Sequence, residues 1–386
     1  MNQTKRYRMF ATAIVAISAI ASLQAAAQVS NLSFGKPAPG AGAVFVMTND
    51  ADRNEIVAFA RSSNGQLNQS GRFATGGRGS GGVTDPLESQ GSLTLSQDHS
   101  VLFAANAGSG DISVFRVAGR NLLLVDRQAS GGSQPVAVAE RHGLVYVLNS
   151  GGAGSVVGFR TGFAGRLQPI KDATVFLSAN ATGGASLSIS PDGQFVLVSE
   201  RIANTIDAFR IHPDGTLGAI VVNPSSAPGA FSLQFAPDGK AIVSETGPAG
   251  ASHASTISSY SVTASGALVA VSQSVPAFGD ANCWNAITPD GKHVYTSNAA
   301  SASISGFNIG DDGTLTPIGS TVVGNNPPGS TNLDIAVTAD GQYLYTINSG
   351  TGDLGAFRIE HDGTLTSLGQ AGELPKSSGF NGIAAL

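Results

Sequence analysis

The chain has 386 residues, one cysteine, a net charge of −5 and only 12% charged residues. A single cysteine excludes a disulfide framework within the chain, and this hydrophobic, charge-poor composition excludes intrinsic disorder. The negative net charge opposes binding to phosphate backbones, so we predict no nucleic-acid partner. The length fits either two domains or one large β architecture.

The amino-terminal residues have the pattern of an export signal. Cationic residues at positions 5–8 precede an apolar run over 9–23, and Ala25-Ala26-Ala27 provides a small-residue cleavage site. The run is short for a membrane span and polar sequence follows it, so we predict a signal peptide over 1–27. We predict that residues 28–42 form a flexible leader. We therefore predict export to the periplasm or the outside of a bacterial cell, with no membrane span in the mature chain.

A unit of four short strands recurs seven times between residue 43 and the carboxyl terminus. Each unit has an apolar strand, a Pro-Asp-Gly-like turn, a second strand ending in Asn or Glu, and a third strand carrying an aromatic residue. These aromatic residues are Phe59, Phe115, Phe159, Phe209, Tyr260, Phe307 and Phe357. Their period of about 50 residues and the Asp-Gly hairpin turns are typical of a propeller. We predict an all-β fold over 43–386, a seven-bladed β-propeller of four-stranded antiparallel blades.

The two ends of the repeat array predict how the ring closes. The first unit starts near Val44 and lacks its opening strand. The chain ends in Asn381-Gly382-Ile383-Ala384-Ala385-Leu386, which resembles that opening strand alone. We therefore predict that the carboxyl-terminal strand completes the first blade and closes the ring, which leaves no open edge.

The topology of a blade sorts polar residues between two faces. The connection into each first strand and the loop after each second strand lie on one face, which we call the mouth face. The second strands end in Asn49, Asn106, Asn149, Glu200, Glu245, Asn298 and Asn348. The asparagines are predicted to satisfy turn backbone groups. The two glutamates, in adjacent blades, can do the same or act chemically, and Arg201 can pair with Glu200.

The mouth face also receives the connections between blades. The connection before the sixth blade, Asp280-Ala281-Asn282-Cys283-Trp284-Asn285, holds the only Trp and Cys of the chain. The indole can form a wall of a ligand pocket or plug the channel. A nucleophilic thiol is disfavoured because the local sequence supplies an acid and no base. The Gly-rich insertion over 75–90, with Arg78, Asp85 and Glu88, is predicted to act as a lid.

Several repeats resemble the seven-bladed lactonase family, which includes propeller-type 6-phosphogluconolactonases and fungal carboxymuconate cyclases. The resemblance is carried by Ser190-Pro191-Asp192-Gly193 with Val198-Ser199-Glu200, by Thr288-Pro289-Asp290-Gly291, and by Cys283-Trp284, which is similar to exported bacterial members. Members with the phosphogluconolactonase pattern have Arg and His where this chain has Ala185 and Ser186. A phosphate substrate needs Arg or Lys, so this departure from the family pattern favours an unphosphorylated lactone as the substrate.

The resemblance implies a lactone hydrolase without a cofactor, acting on a lactone or sugar-derived ligand. The predicted catalytic residues are Glu200, Glu245, His253 and Arg201. The predicted substrate-binding residues are Trp284, Asn285, Asn332, Asp334, Asn298 and Arg78. A glutamate would activate water, the histidine would be an alternative base or proton shuttle, and Arg201 with Asn285 would polarise the carbonyl. No metal site is predicted, because the sequence has no metal-spaced His pair. The alternative is a non-catalytic exported propeller that binds a small ligand or an envelope protein on the same face.

Overall fold

The computed structural model describes residues 42–162 and 165–386, which form 29 β-strands and no α-helix. The predicted signal peptide over 1–27, and all of the predicted leader except its last residue, lie outside the described residues. Within the described part of the chain there is no helix with the length and apolar character needed to cross a membrane.

The strands are short, and each has two to ten residues. In chain order they are β1 (Gly42–Met47), β2 (Glu55–Arg61), β3 (Leu67–Ala74), β4 (Leu93–Leu95), β5 (Val101–Asn106), β6 (Asp111–Ala118), β7 (Asn121–Ala129), β8 (Pro135–Arg141), β9 (Leu144–Asn149), β10 (Ser155–Thr161), β11 (Leu167–Phe176), β12 (Gly184–Ile189), β13 (Phe195–Glu200), β14 (Thr205–Arg210), β15 (Val221–Pro224), β16 (Ala230–Phe235), β17 (Ala241–Glu245), β18 (Thr256–Val262), β19 (Leu268–Pro276), β20 (Asn282–Ile287), β21 (His293–Asn298), β22 (Ser303–Ile309), β23 (Leu315–Pro317), β24 (Gly324–Asn325), β25 (Asn332–Val337), β26 (Tyr343–Asn348), β27 (Asp353–Ile359), β28 (Leu365–Ala371) and β29 (Ile383–Ala385).

These strands form seven antiparallel sheets, and each sheet is one blade of a β-propeller. The strand orders are β29-β1-β2-β3 in blade 1, β4 to β7 in blade 2, β8 to β11 in blade 3, β12 to β15 in blade 4, β16 to β19 in blade 5, β20 to β23 in blade 6 and β25 to β28 in blade 7. Blade 6 carries an additional short strand, β24, which pairs with β22. The predicted seven-bladed, all-β architecture is confirmed.

The carboxyl-terminal strand closes the ring, as predicted. β29 pairs with β1 through Val44 opposite Ala385, Phe45 opposite Ala384 and Val46 opposite Ile383. All three residues of β29 are buried. The first and last segments of the described chain therefore share one blade, and β29 covers the edge that β1 would otherwise present.

The Pro-Asp-Gly turns join the first two strands of a blade through side-chain hydrogen bonds. In blade 4, the Asp192 carboxylate accepts hydrogen bonds from the Gln194 amide at 3.0 Å and from the Ser190 hydroxyl at 2.6 Å. Gly193 follows with a φ of 69°, a left-handed conformation that is costly for residues with a Cβ. The Asp-Gly pattern that revealed the repeat is thus required by the turn itself.

Polar joints connect adjacent blades on the face opposite the mouth. In each of five joints, a side chain of one blade donates a hydrogen bond to a glycine carbonyl in the turn between the third and fourth strands of the next blade. The pairs are Tyr146 with Gly215 (2.9 Å), Asn223 with Gly266 (3.1 Å), Ser259 with Gly313 (2.7 Å), Tyr295 with Gly363 (2.8 Å) and Tyr345 with Gly65 (2.7 Å). These joints run in sequence from blade 3 around the ring to blade 1.

Candidate active site

The Glu200 side chain is buried and forms hydrogen bonds with residues of both blade 3 and blade 4. Its carboxylate accepts hydrogen bonds from the Ser178 amide at 3.0 Å, from the Ser178 hydroxyl and from the Thr205 hydroxyl at 2.8 Å. Ser178 follows the outer strand of blade 3, whereas Glu200 ends the second strand of blade 4. Burial, and then the adjacent Glu200, raise the pKa of Asp207 well above its usual range. Glu200 is fully buried and accepts hydrogen bonds at both oxygens.

Glu245 has the equivalent place in blade 5 and is also fully buried. One carboxylate oxygen accepts hydrogen bonds from the Ser225 hydroxyl at 2.9 Å and the Ala227 amide at 3.1 Å. The other accepts from the hydroxyls of Thr256 at 2.6 Å and Ser258 at 2.9 Å. Burial raises the pKa of Glu245, and these hydrogen bonds oppose the rise. Glu245 therefore takes the hydrogen-bonding position, at the end of the second strand, that asparagines take in other blades.

The Glu245→Gln variant is expected to lower the free energy of unfolding by about 1–3 kcal/mol, because its amide group points a donor at groups that already donate. Urea unfolding followed by circular dichroism measures this change. If Glu245 is instead the catalytic base, hydrolysis falls at least about 100-fold and stability changes little. An unchanged unfolding midpoint would contradict the structural role.

The Gly-rich insertion between blades 1 and 2 crosses the channel opening on the mouth face. We call residues 85–91 the plug. The Gln90 amide donates to the Ala185 carbonyl of blade 4 at 2.9 Å, and its side chain donates to the Asn285 carbonyl of blade 6 at 2.8 Å. The Ser89 hydroxyl donates to the Val136 carbonyl of blade 3 at 2.9 Å. This part of the predicted lid is thus bound to three blades beyond those that it connects.

The plug covers two residues predicted to bind substrate. Trp284 is 1% exposed, donates its indole N–H to the Ser89 carbonyl at 2.8 Å, and packs edge-on against Phe231 at 5.1 Å between ring centroids. Asn285 is fully buried, and its backbone amide donates to the Gln90 side-chain oxygen at 3.2 Å. Both side chains belong to the packed interior beneath the plug.

Asp334, another predicted substrate contact, joins the plug to the closing strand. Its carboxylate accepts hydrogen bonds from the Gln90 side chain at 3.1 Å, the Ile335 amide at 2.9 Å and the Ile383 amide at 3.2 Å. Burial raises its pKa to about 7, although these hydrogen bonds oppose the rise. The position of the plug is therefore coupled to the closure of the ring.

A cleft of about 480 Å³ lies beside the plug on the mouth face. Its lining residues are Asp85, Glu88, Arg201, Asn204, Pro228, Gly229, Phe231, Thr246, Gly247, Pro248, Ala249 and Cys283. Arg201 and Glu88 form an ion pair from blade 4 to the plug. Two larger cavities, of about 630 and 680 Å³, lie between blades on the opposite face, around the turns after the first strands.

Asp85 contributes to the cleft a carboxyl group with a raised pKa and hydrogen bonds to one of its oxygens only. One oxygen accepts hydrogen bonds from the Glu88 amide at 3.1 Å and from the Asn381 side chain at 2.8 Å. None of the described residues donates a hydrogen bond to the other oxygen, Oδ2. Burial raises the pKa of Asp85 to about 7, with the nearby Glu88 charge adding to the rise. Near neutral pH this group can both accept and return a proton.

The residues predicted from the sequence to form the site are dispersed. Of the ten residues predicted to be catalytic or to bind substrate, Arg201 alone lines the cleft. Arg78 is exposed, and His253 is exposed in a loop of blade 5, where its backbone amide donates to Asp280. Asn298 and Asn332 are fully buried and hydrogen-bonded within and between blades 6 and 7. The catalytic and binding roles predicted for these residues stay predictions.

Cys283 lines the cleft but is 8% exposed. Burial, and then the nearby Asp85 charge, raise the pKa of its thiol well above the usual value. A thiol with a raised pKa stays protonated at neutral pH and is a poor nucleophile. This environment agrees with the sequence-based argument against a nucleophilic cysteine.

The sequence matches the family model described as lactonase, 7-bladed β-propeller, over residues 140–284 and 285–378, which is more than half of the chain. The chain belongs to this family. Within this lactonase-family propeller, Arg201 and Cys283 lie in the matched residues, whereas the plug with Asp85 and Glu88 lies outside them. One wall of the cleft is thus formed by the shared part of the fold and the other by the insertion.

Solved structures share the fold at low sequence identity. A candidate 6-phosphogluconolactonase of Bacteroides uniformis is 20% identical, with a TM-score of 0.69, and the match covers 90% of this chain and 100% of that one. The periplasmic gluconolactonase PpgL of Pseudomonas aeruginosa is 18% identical, with a TM-score of 0.63, covering 88% and 98%. No curated protein matches this lactonase-family chain. At these identities the structural likeness shows the fold alone.

Proposed function

We propose that this protein hydrolyses an unphosphorylated lactone in the mouth-face cleft. One observation carries the proposal: in a lactonase-family propeller, the cleft contains the Asp85 carboxyl group, whose pKa is about 7. None of the described residues donates a hydrogen bond to its Oδ2 atom. A base with a pKa near the working pH is the group that ester hydrolysis by water requires.

The reaction follows from the groups that line the cleft. Asp85 takes a proton from a water molecule, whose oxygen forms a bond to the lactone carbonyl carbon. The negative charge that develops on the carbonyl oxygen is stabilised by Arg201, through guanidinium N–H groups that Glu88 does not use. The bond to the ring oxygen then breaks, and Asp85 returns the proton to that oxygen. The product is an open-chain hydroxy acid.

The charges of the cleft favour a substrate without phosphate. Arg201 is the one cation among the described lining residues, and Glu88 already neutralises it. The other charged group in the lining is Asp85. A phosphate dianion needs several Arg or Lys donors, and two carboxyl groups would repel it. The rest of the lining is uncharged: glycine, proline, alanine, Cys283 and Phe231 with the polar Asn204 and Thr246, a surface suited to a neutral ring.

We also propose that the protein acts after export. The sequence has the pattern of a signal peptide over 1–27. PpgL, which shares the fold, is described as periplasmic.

The value of kcat/KM is expected to rise between about pH 6 and pH 8, with a midpoint near 7. Asp85 is protonated below its pKa of about 7 and becomes the active base above it. A pH-stat that titrates the acid released, with the uncatalysed hydrolysis subtracted, measures the profile. A rate that is independent of pH across this range would contradict the assignment of Asp85.

A panel of lactones tests the activity itself. The purified protein is mixed with glucono-1,5-lactone, its 6-phosphate and γ-butyrolactone, and acid release is followed with a pH indicator. We expect turnover of an unphosphorylated lactone, and little or none of the phosphorylated one. Faster hydrolysis of the phosphate ester would contradict the substrate class. No turnover on any lactone would contradict hydrolysis and favour the binding protein considered from the sequence.

A further inference from the structure

We propose that Glu88 is a specificity-determining residue: it covers Arg201 with a fixed negative charge, so that the cleft excludes carboxylates and releases the hydroxy acid formed in it. The identity of that product rests on the proposed function. The charge cover itself rests on the geometry of the plug, and it can be tested without any turnover.

The backbone holds Glu88 in place above the cleft. Its φ is 48°, which is an unfavourable conformation for a residue with a side chain. Its amide donates to the Asp85 carboxylate at 3.1 Å, and its neighbours Leu87 and Ser89 are both buried. A conformation of this kind persists only when the surroundings fix it. The carboxylate is therefore presented to Arg201 from a fixed loop.

The two partners of the ion pair, Glu88 and Arg201, differ in how far their side chains are exposed to solvent. The Glu88 side chain is 62% exposed, whereas the Arg201 side chain is 27% exposed. Glu88 is thus the partner of this ion pair that is more accessible to solvent. An anion that approaches from solvent meets Glu88 first, with the Asp85 charge beside it above pH 7. Removing the Glu88 charge would leave Arg201 as an open site for a carboxylate.

The negative charge of Glu88 beside Arg201 affects the substrate and the product of ester hydrolysis differently. A lactone is neutral and does not compete with Glu88 for the guanidinium, whereas a hydroxy acid is a carboxylate at neutral pH. Arginine binds carboxylates with two parallel hydrogen bonds, so an open Arg201 would retain the product. Glu88 is attached to the same molecule and competes at a high effective concentration. The cover therefore favours entry of the neutral ring and loss of the acid.

Binding of three hydroxy acids, D-gluconate, 4-hydroxybutanoate and glycolate, is measured by titration calorimetry on the wild-type protein and on Glu88→Gln. We expect binding of at least one acid to tighten about tenfold in Glu88→Gln and to weaken again as salt is added. The double variant Glu88→Gln with Arg201→Gln is expected to lose this gain. Glu360→Gln, which breaks an exposed Arg358 ion pair on the opposite face, is the matched control and is expected to bind as wild type.

Three results would overturn the proposal: equal affinities of wild type and Glu88→Gln for all three acids, a gain that persists in the double variant, or the same gain in Glu360→Gln. Thermal unfolding of each variant establishes that it is folded. Lactone hydrolysis is measured on the same samples. A protein that gains carboxylate binding in Glu88→Gln but hydrolyses no lactone supports the charge cover and contradicts the proposed function, so the two failures are distinguishable.

Discussion

Replacing Asp85 with asparagine is expected to lower the rate of lactone hydrolysis at least about 100-fold, the usual contribution of a positioned general base. Asparagine keeps the oxygen that accepts hydrogen bonds from the Glu88 amide and the Asn381 side chain. It replaces only Oδ2 with an amide group that cannot take a proton. The loss is therefore expected in kcat, with an unchanged unfolding midpoint.

The matched control for this experiment is Asp52→Asn. Asp52 is exposed in the loop between β1 and β2, on the same face but away from the cleft. Equal rates of Asp85→Asn and wild type would refute Asp85 as the base. The predicted bases Glu200, Glu245 and His253 would then be tested in the same assay. A loss in Glu245→Gln beyond its effect on stability would assign that role to the buried glutamate.

Deleting residues 381–386 is expected to destabilise the propeller by at least about 4 kcal/mol. The deletion removes the buried side chain of Ile383 and several main-chain hydrogen bonds to β1, each of which contributes to stability. It also removes the Asn381 donor to Asp85 and the Ile383 amide that donates to Asp334. Urea unfolding followed by intrinsic fluorescence of Trp284, which lies beneath the plug, measures the loss.

A milder variant keeps this test informative if the truncated chain does not fold. Ile383→Ala creates a cavity beside the core and is expected to cost about 2–5 kcal/mol. Lys376→Ala, in the exposed stretch before the closing strand, is the matched control and is expected to have little effect. Similar stability of Ile383→Ala and Lys376→Ala would mean that β29 is not essential to the ring.

The architecture was predictable because each blade repeats a local requirement. The Asp-Gly turns need a carboxylate and a left-handed glycine, and these needs are visible in the sequence at a period of about 50 residues. The closing strand was predictable for the same reason, since one unit lacks a strand that the carboxyl terminus supplies. Neither inference depends on how side chains are oriented within a blade.

The candidate site was only partly predictable, and two physical reasons account for the difference. The register shifts near the start of several first strands, as between Asn282 and Trp284 in β20, so alternation does not say which side chains reach the channel. The path of the insertion over 75–90 is fixed by contacts with distant blades, such as that of Gln90 with Ala185. Asp85 and Glu88 were visible as charges in a Gly-rich segment, but nothing local placed them beside Arg201.

The polar joints between blades have a consequence for how this sequence can diverge. Their acceptor is always a main-chain carbonyl, as at Gly215 and Gly266, and no substitution removes the oxygen of a peptide group. Their donor is a phenol in Tyr146, an amide in Asn223 and an alcohol in Ser259. Each repeat can therefore exchange one donor for another while its neighbour needs no matching change. Repeats joined in this way can drift apart in sequence one at a time while the ring keeps its geometry.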